Sequence, residues 1–571
     1  MTERSPIIAS LLEPIEAPAS IGARREVVAV SDAAVESRIA YGDLAQRALE
    51  RCAALRALDL REGDLVMLAY PASIDFVAMF MGCVLAGVLP CAMPMPGKRM
   101  VDTTNSVIDV ACALYRPRAI FTTDDCVPPL EAIAAARGVR LIGHSQLAAA
   151  AASGARPVVS QRAPGDPHHV QLTSGSVSNP KAAVISHHNV WSNVDGIVTA
   201  MNAHADTART VLWLPLYHDM GLITLLTATH HKSALMLMQP TSFIRNPLGW
   251  LKRMAAFEAT ITVAPTFALR YCLRRFNEAR MRGVDLRSLR NFLIGAEHVD
   301  EDTLHEFVRT FAPYGFSGRA LQPCYGMAES TLAVTMQQVT ALAPADAERA
   351  LPFVRADQRD GTIRLSMGTP ITGMQAEVRD ATGRTLGERE VGEIMIRGSS
   401  VMLGYLAPAR EAGVAAPAVA AVRDDGWLAT GDLGYVADGQ FFILGRMKEI
   451  LIIRGVNHFP EEIEAAVADH AAISKDGCAA IGVRDEAQGT EQLVLLIETA
   501  PENVTATARA ELQALLQQHV GFAAADLRFV APGALPRTTS GKLQRLKCRQ
   551  LFLDGAFAEA LPDSASEAPA A

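Results

Sequence analysis

The chain has 571 residues, half of them apolar and a fifth charged, which suits a globular protein of more than one domain with an ample core. A formal net charge of −8 argues against a general nucleic-acid binder and leaves room for a small anionic ligand held by local positive charge. Nine Cys without a C-x-x-C pair suggest neither a zinc site nor a disulfide framework, and are read as reduced thiols in a cytoplasmic protein.

The N-terminal stretch Met1–Pro14 mixes Glu3, Arg4 and Glu13 with a short apolar piece, unlike a signal peptide. The most apolar run, Phe76 to Pro96, contains Gly82, Gly87, Pro90 and Pro94 and reads as a helix followed by a buried strand, not as a membrane span. Asp64–Ala69 is a strand, Phe76–Ala86 a helix and Val88–Met93 a strand; Arg118–Thr122, Pro129–Ala136 and Val139–Ile142 repeat the pattern. Val211–Leu214 and Ala234–Met238 follow as strands, then the helix Pro247–Phe257 and the strand Ile261–Ala264. This alternation predicts an α/β fold with parallel sheets covered by helices.

After about Thr362 short strands and Gly turns dominate: Gly392–Gly398, Trp427–Asp432 and Gln440–Gly445 read as a small antiparallel β unit. Beyond Lys448, a helix at Pro460–His470, strands at Cys478–Val483 and Leu493–Ile497, and an amphipathic helix at Thr505–His519 predict a small α+β domain. The expected division is a large domain at 1–447 and a small C-terminal domain at 448–571, with a disordered tail after about 561. The Ala-rich stretch Ala409–Ala421 reads as a surface loop. The pairs His168-His169, His187-His188 and His230-His231 read as incidental, because adjacent strand residues face opposite sides.

The chemistry concentrates at strand ends. Thr173-Ser174-Gly175-Ser176-Val177-Ser178-Asn179-Pro180-Lys181 lies between two strand-like runs. Small hydroxyl residues, Gly and a closing Lys suit a polyphosphate, since backbone N–H groups can approach oxygens and the ammonium adds a charge. It is not a Walker loop, because the G-x-x-x-x-G-K-[ST] spacing is missing and no helix opens directly after Lys181. Gly295-Ala296-Glu297, Tyr325-Gly326-Met327-Ala328-Glu329, Thr430-Gly431-Asp432 and Gly445-Arg446 also end strands, where parallel sheets place ligands. Asp432 can accept ribose hydroxyls, Tyr325 offers a face to a base, Glu329 can hold Mg²⁺ and Arg446 can contact ribose or phosphate. Singly, each is more readily a cap, a turn or a surface ion pair than a ligand.

In order, Thr173–Lys181, Trp213–Gly221, Tyr325–Glu329, Thr430–Asp432, Gly445–Glu449 and Pro536–Lys542 resemble the motifs of the adenylate-forming superfamily: acyl-CoA synthetases, nonribosomal peptide synthetase adenylation domains and luciferases. Trp213–Gly221 and Ile452–Pro460 look most like fatty acyl-AMP ligases, which activate fatty acids with ATP and pass them to an acyl carrier protein. The resemblance implies that Thr173, Ser174, Gly175, Ser176 and Lys181 cradle the β- and γ-phosphates, and that Glu329, with Thr173, holds Mg²⁺. It implies that Gly295, Ala296 and Glu297, with Tyr325, Gly326, Met327 and Ala328, form the adenine pocket, and that Asp432 and Arg446 hold the ribose. Lys542 would bridge the attacking carboxylate and the α-phosphate, and Lys448 would be the hinge of a mobile C-terminal domain. His218 would lie beside the substrate pocket; its other reading is a structural histidine bonded to the neighbouring loop.

Two departures stand out: Val177 and Ser178 replace the family's Thr and Gly, removing a hydroxyl and restricting φ. Asp219 is one residue from the place where amino-acid-activating members hold an Asp, which disfavours an amino acid substrate. No Gly-x-Asp-Ser phosphopantetheine site follows Lys542, so a carrier protein is expected as a separate chain. The stretch Gln337–Gly361 is either the inserted segment that keeps such ligases from coenzyme A or a plain surface loop. An acyl-CoA synthetase is the alternative within the superfamily; a non-catalytic adenylate-binding protein is the alternative outside enzymes.

Overall fold

The computed structural model describes residues 5–31, 35–95, 106–173, 180–337, 356–359, 362–408, 422–423, 425–453, 456–468, 470–474, 477–485, 490–538 and 541–557. Among these, the largest sheet has nine strands, in the spatial order Thr369–Pro370, Ala333–Met336, Leu321–Gly326, Asn291–Ile294, Ile261–Ala264, Arg209–Leu212, Ala234–Met238, Glu26–Val30, Val35–Ala40. The run from Leu321–Gly326 to Glu26–Val30 is parallel throughout. Its inner strands are continuous apolar runs such as Ala234–Met238 because helices cover both faces. A second, wholly parallel sheet is ordered Leu89–Ala92, Leu65–Ala69, Ala119–Thr122, Arg140–Ile142. The apolar run after Ser73 is the helix Ile74–Ala86, capped by the Ser73 hydroxyl and buried on nearly every side. No helix of the described residues is long and apolar enough to cross a membrane.

The hairpin Pro167–Thr173/Lys181–Ser186 takes Gly404–Tyr405 as a third, antiparallel strand. A four-stranded antiparallel sheet joins Met374–Arg379, Gly392–Gly398, Leu428–Ala437 and Gln440–Arg446. The C-terminal part pairs Cys478–Asp485 with Thr490–Glu498 and Asp526–Val530, and packs Pro460–Val467, Ala506–His519 and Arg545–Leu553 around its own apolar clusters.

Part of Gln337–Gly361 belongs to a hairpin, Ala356–Arg359 with Thr362–Leu365, so this stretch is not wholly a plain surface loop. The hairpin's buried Arg364 pairs with Glu462 of the C-terminal helix Pro460–Val467. The Ala409–Ala421 stretch and the tail after 561 lie outside the described residues.

The histidine pairs need correction. The pairing register of Pro167–Thr173 shifts between Pro167 and His169, and both histidines are buried with ring centroids 5.1 Å apart and Nδ1 atoms 2.9 Å apart. His187 meets His168 at 4.8 Å and shares a 3.0 Å hydrogen bond between its Nδ1 and Ser5 Oγ. Strand alternation failed here because the bulge cancels it. Burial pushes His169 and His230 down to about 3 and His187 to about 4, so these rings pack as neutral groups.

Candidate functional site

The antiparallel sheet delivers the first pair of groups. Gly431 has φ +75, a value Gly adopts without Cβ strain, and Thr430 Oγ1 donates to the Ile394 carbonyl at 2.7 Å. The strand then places Asp432 directly across from Arg446. Arg446 Nε lies 3.3 Å from Asp432 Oδ1, and Tyr325 Oη donates to Asp432 Oδ2 at 2.6 Å. Burial raises the Asp432 carboxyl above its ordinary range, opposed by Arg446 and by the Tyr325 hydrogen bond. Three residues distant in sequence thus form one hydrogen-bonded group at the ends of two sheets.

Tyr325 ends a parallel strand and opens the loop that carries Glu329. At the bulge, a Cβ on Gly326 would lie 1.9 Å from the Leu332 carbonyl oxygen, so only Gly fits. The buried Asn193 side chain pins the return of this loop, donating to the Ala333 carbonyl at 2.9 Å and accepting from its N–H at 3.1 Å. Thr331 sits at φ +68, a costly conformation for a β-branched residue, held by its 2.7 Å hydrogen bond to the Ser400 carbonyl. Met327 and Ala328 are buried against the sheet.

Glu329 has a partner that the sequence did not reveal. Tyr405 Oη donates to Glu329 Oε1 at 2.6 Å, and Lys181 Nζ lies 4.7 Å from the centre of the Tyr405 ring. Tyr405 pairs in register with Ala183, two residues beyond Lys181. Burial, and then the Glu329 charge, raise its phenol far above the ordinary range. Thr173 and Lys181 face each other across the base of the hairpin. Ser174, Gly175 and Ser176, with Val177 and Ser178, lie outside the described residues.

Gly295-Ala296-Glu297 leaves the strand Asn291–Ile294 beside the Tyr325 strand. A Cβ on Gly295 would approach the Cys324 carbonyl to 2.6 Å, and Ala296 has φ +70. Glu297 Oε1 accepts from the Phe267 N–H at the start of the helix Thr266–Arg274, so this carboxylate caps a helix.

Trp213–Gly221 forms the turn into the helix Asp219–His230. A Cβ on Gly221 would sit 2.2 Å from the Pro215 carbonyl oxygen, which fixes this tight entry. The His218 ring lies 4.8 Å from that of Tyr217, and its buried Nε2 has no hydrogen-bond partner among the described residues. Burial, and next the charge of Lys542, push His218 down to about 3, so it is neutral at physiological pH. Asp219 is raised by burial and lowered in part by Lys542.

The Lys542 charge acts on both of these groups. Lys542 follows a turn closed by the Thr538 N–H to the Lys542 carbonyl at 2.7 Å, with Gly541 at φ +86. Its ammonium is close enough to act on Asp432, Asp219 and His218. Three residues on, Arg545 is clamped by Glu449 and Glu461 at 2.8 Å and Glu464 at 2.7 Å, which ties the Lys542 loop to the segment just after Lys448. Lys448 lies in the exposed turn after Arg446.

The donor set fits Mg²⁺ in the way that phosphate-bound Mg²⁺ is held, by one or two protein oxygens with phosphate and water completing the shell. Glu329 and Thr173 supply such oxygens, and no group of three or more metal-ligating side chains occurs among the described residues.

Residues 19–406 match the family of AMP-binding enzymes, and residues 448–560 match the AMP domain of Disco-interacting protein 2-like proteins. A Mycobacterium tuberculosis protein, long-chain-fatty-acid–AMP ligase FadD26, is 33% identical over 527 residues, 87% of this chain and 88% of that one. A structure from studies of fatty acyl-adenylate ligases from E. coli and L. pneumophila is 27% identical, with a TM-score of 0.83 over 97% of this chain and 98% of the other. A fatty acyl-adenylate ligase from L. pneumophila in complex with acyl adenylate and pyrophosphate is 25% identical, with a TM-score of 0.67 over 97% and 98%.

Proposed function

The chain belongs to the family of AMP-binding enzymes, and from that premise we propose that it uses ATP to convert a fatty acid to its acyl-adenylate and then transfers the acyl group to the phosphopantetheine thiol of a separate acyl carrier protein. The carboxylate oxygen attacks the α-phosphorus, the bond to the bridging oxygen breaks, and pyrophosphate leaves. The single observation that carries this reading is the Tyr325–Asp432–Arg446 group, assembled from separate sheets, with Glu329 held by Tyr405 and the Lys181 ammonium over the Tyr405 ring.

The geometry supports the following roles. Asp432 is held by Tyr325 and Arg446 with its carboxylate desolvated, a suitable acceptor for ribose hydroxyls. Lys542 supplies the cation that lets a carboxylate approach a triphosphate; losing one such donor costs on the order of 3 kcal/mol in barrier height. Lys181 and Glu329 meet the phosphates on either side of Tyr405. Mg²⁺ bound by Glu329 and Thr173 would neutralise charge on the phosphate oxygens. Neutral His218 contributes no charge against the incoming carboxylate's neighbours and presents a desolvated ring beside the acyl path. Glu297 belongs to the adenine pocket as a positioning group, since its carboxylate caps a helix and leaves the Gly295–Ala296 backbone to face the base. Lys448 is the hinge between domains 1–447 and 448–571, about which the small domain turns after adenylation to admit the thiol.

Ile197, Ile261, Val263 and Leu293 line a largely apolar cavity, which supports an apolar group as the acid's substituent. Incubation with ATP, Mg²⁺ and fatty acids of several lengths, with coenzyme A or with a phosphopantetheinylated carrier protein, tests the reading. Acyl-adenylate should form, persist with coenzyme A and be consumed by the right carrier. Rapid acyl-CoA formation at the rate of adenylation would replace the carrier by coenzyme A and leave the first half-reaction standing.

A further inference from the structure

The strand Leu428–Ala437 does not run evenly beside its neighbour Gly392–Gly398. Gly392 and Glu393 pair with Gly434 and Leu433, and Met395 pairs with Ala429, so Thr430, Gly431 and Asp432 all stand opposite the single residue Ile394. Such a bulge bends the strand and re-aims a side chain, here the Asp432 carboxylate that meets Tyr325 and Arg446. Backbone groups that leave the ladder need other partners. Thr430 supplies two, for its Oγ1 donates to the Ile394 carbonyl at 2.7 Å and accepts from the Asp432 N–H at 3.1 Å. The Met447 N–H donates to the Gly431 carbonyl at 2.9 Å. The Gly431 N–H donates to Glu393 Oε1 at 3.1 Å. Glu393 thus lies outside the nucleotide motifs and holds the turn of one of them from the adjacent strand.

Within the reading of Asp432 as the ribose acceptor, on which this inference rests, we infer that Glu393 is a positioning residue for nucleotide recognition: its carboxylate fixes the Gly431 turn and so sets where the Asp432 oxygens stand. Asp432 is buried, its Oδ2 takes the Tyr325 hydroxyl at 2.6 Å, and its Oδ1 lies 3.3 Å from Arg446 Nε. Ribose hydroxyls can use only the lone pairs that these two leave over, which makes the placement of the carboxylate critical. The turn needs an acceptor at the length of Glu393. A carboxylate or amide oxygen there satisfies the Gly431 N–H. A shorter side chain leaves that N–H without its partner and lets the bulge relax. Because the contact is one residue from Asp432, its loss weakens the hold on ribose and leaves the reacting groups in place.

The test compares ATP with 2′-deoxy-ATP and 3′-deoxy-ATP, each with Mg²⁺, by calorimetric binding and by fatty-acid-dependent pyrophosphate release. In the wild-type protein both analogues should bind more weakly than ATP. Glu393→Ala should raise Kd and KM for ATP about tenfold with kcat little changed, the loss of one carboxylate hydrogen bond in binding. The same change should cost the deoxy analogues much less, because they lack a hydroxyl for a well-placed Asp432 to hold. Glu393→Asp keeps the carboxylate but is one carbon short; it should behave like the Ala variant and carries the test if that variant does not fold. Glu393→Gln keeps the acceptor and should return ATP to within about twofold of wild type. An equal loss for ATP and both analogues, no loss at all, or no rescue by Gln overturns this inference and leaves Asp432 at the ribose. A wild-type protein that does not distinguish ATP from either analogue removes Asp432 from the ribose and overturns both.

Discussion

Replacing Tyr405 by Phe isolates the contact that the sequence concealed. The change deletes the 2.6 Å hydrogen bond to Glu329 Oε1 and keeps the ring beneath Lys181 Nζ. A hydrogen bond to a charged partner contributes about 1.5–3 kcal/mol. Tyr405 is half-buried, so the lower part of that range applies, and the expected loss is roughly tenfold in kcat/KM for ATP. Tyr405→Leu also removes the ring, adding about 0.5–1 kcal/mol for the lost cation–π contact. The order wild type, Tyr405→Phe, Tyr405→Leu is measured by fatty-acid-dependent pyrophosphate release under varied ATP and Mg²⁺. The backbone pairing of Gly404–Tyr405 with the hairpin survives both changes, so thermal unfolding should barely move. A Tyr405→Phe enzyme within twofold of wild type at all ATP and Mg²⁺ concentrations refutes the idea that this phenol orients Glu329.

Why Tyr405 escaped the sequence is physical. Its contacts join Lys181, Glu329 and itself through a two-residue strand added to a hairpin formed more than two hundred positions earlier, and no local pattern records such a pairing. Gly392–Gly398 and the inner parallel strands were legible because burial forces apolar runs between turn residues. The strand Val35–Ala40, at the edge of the large sheet, was not: four of its six residues are exposed, so it lacks an apolar signature. Motif order brought Tyr325, Glu329, Asp432, Arg446 and Lys542 into one reading, and the structure joins Tyr325 and Arg446 through Asp432. The direction of the Glu297 side chain depends on a helix start some thirty residues earlier, and the His168–His169 contact depends on a bulge; neither is written in residue spacing.

Lys542→Ala should abolish fatty-acid-dependent pyrophosphate release without changing the circular dichroism spectrum; near-normal release would move the bridging charge to another residue. Val177→Thr with Ser178→Gly should lower the apparent KM for ATP by no more than about tenfold, a gain of one hydroxyl donor, and an unchanged value would count against loop restriction. Burial raises Glu461 to about 7, so its carboxyl stabilises the fold below about pH 4.5 and loses that contribution as pH rises through 7; Glu461→Gln should therefore raise the unfolding midpoint at pH 8 relative to wild type. Equal midpoints would mean that Arg545 fully offsets the charge. The histidine cluster has the opposite sign. His187 is lowered to about 4, and His169 and His230 to about 3, against ordinary values near 6.5, so the unfolded chain takes up protons first as pH falls. Stability is complete above about pH 6.5 and drains away toward pH 4, with His187 alone accounting for about 3 kcal/mol at the acid end. His187 also holds Ser5, so the N-terminal helix Pro6–Glu16 should be among the first segments to lose hydrogen-exchange protection. His187→Gln removes one titrating group and should flatten the fall in stability between about pH 6.5 and 4. An identical slope in that variant, or a wild-type protein equally stable at both ends of the interval, would show that these buried rings do not govern acid unfolding.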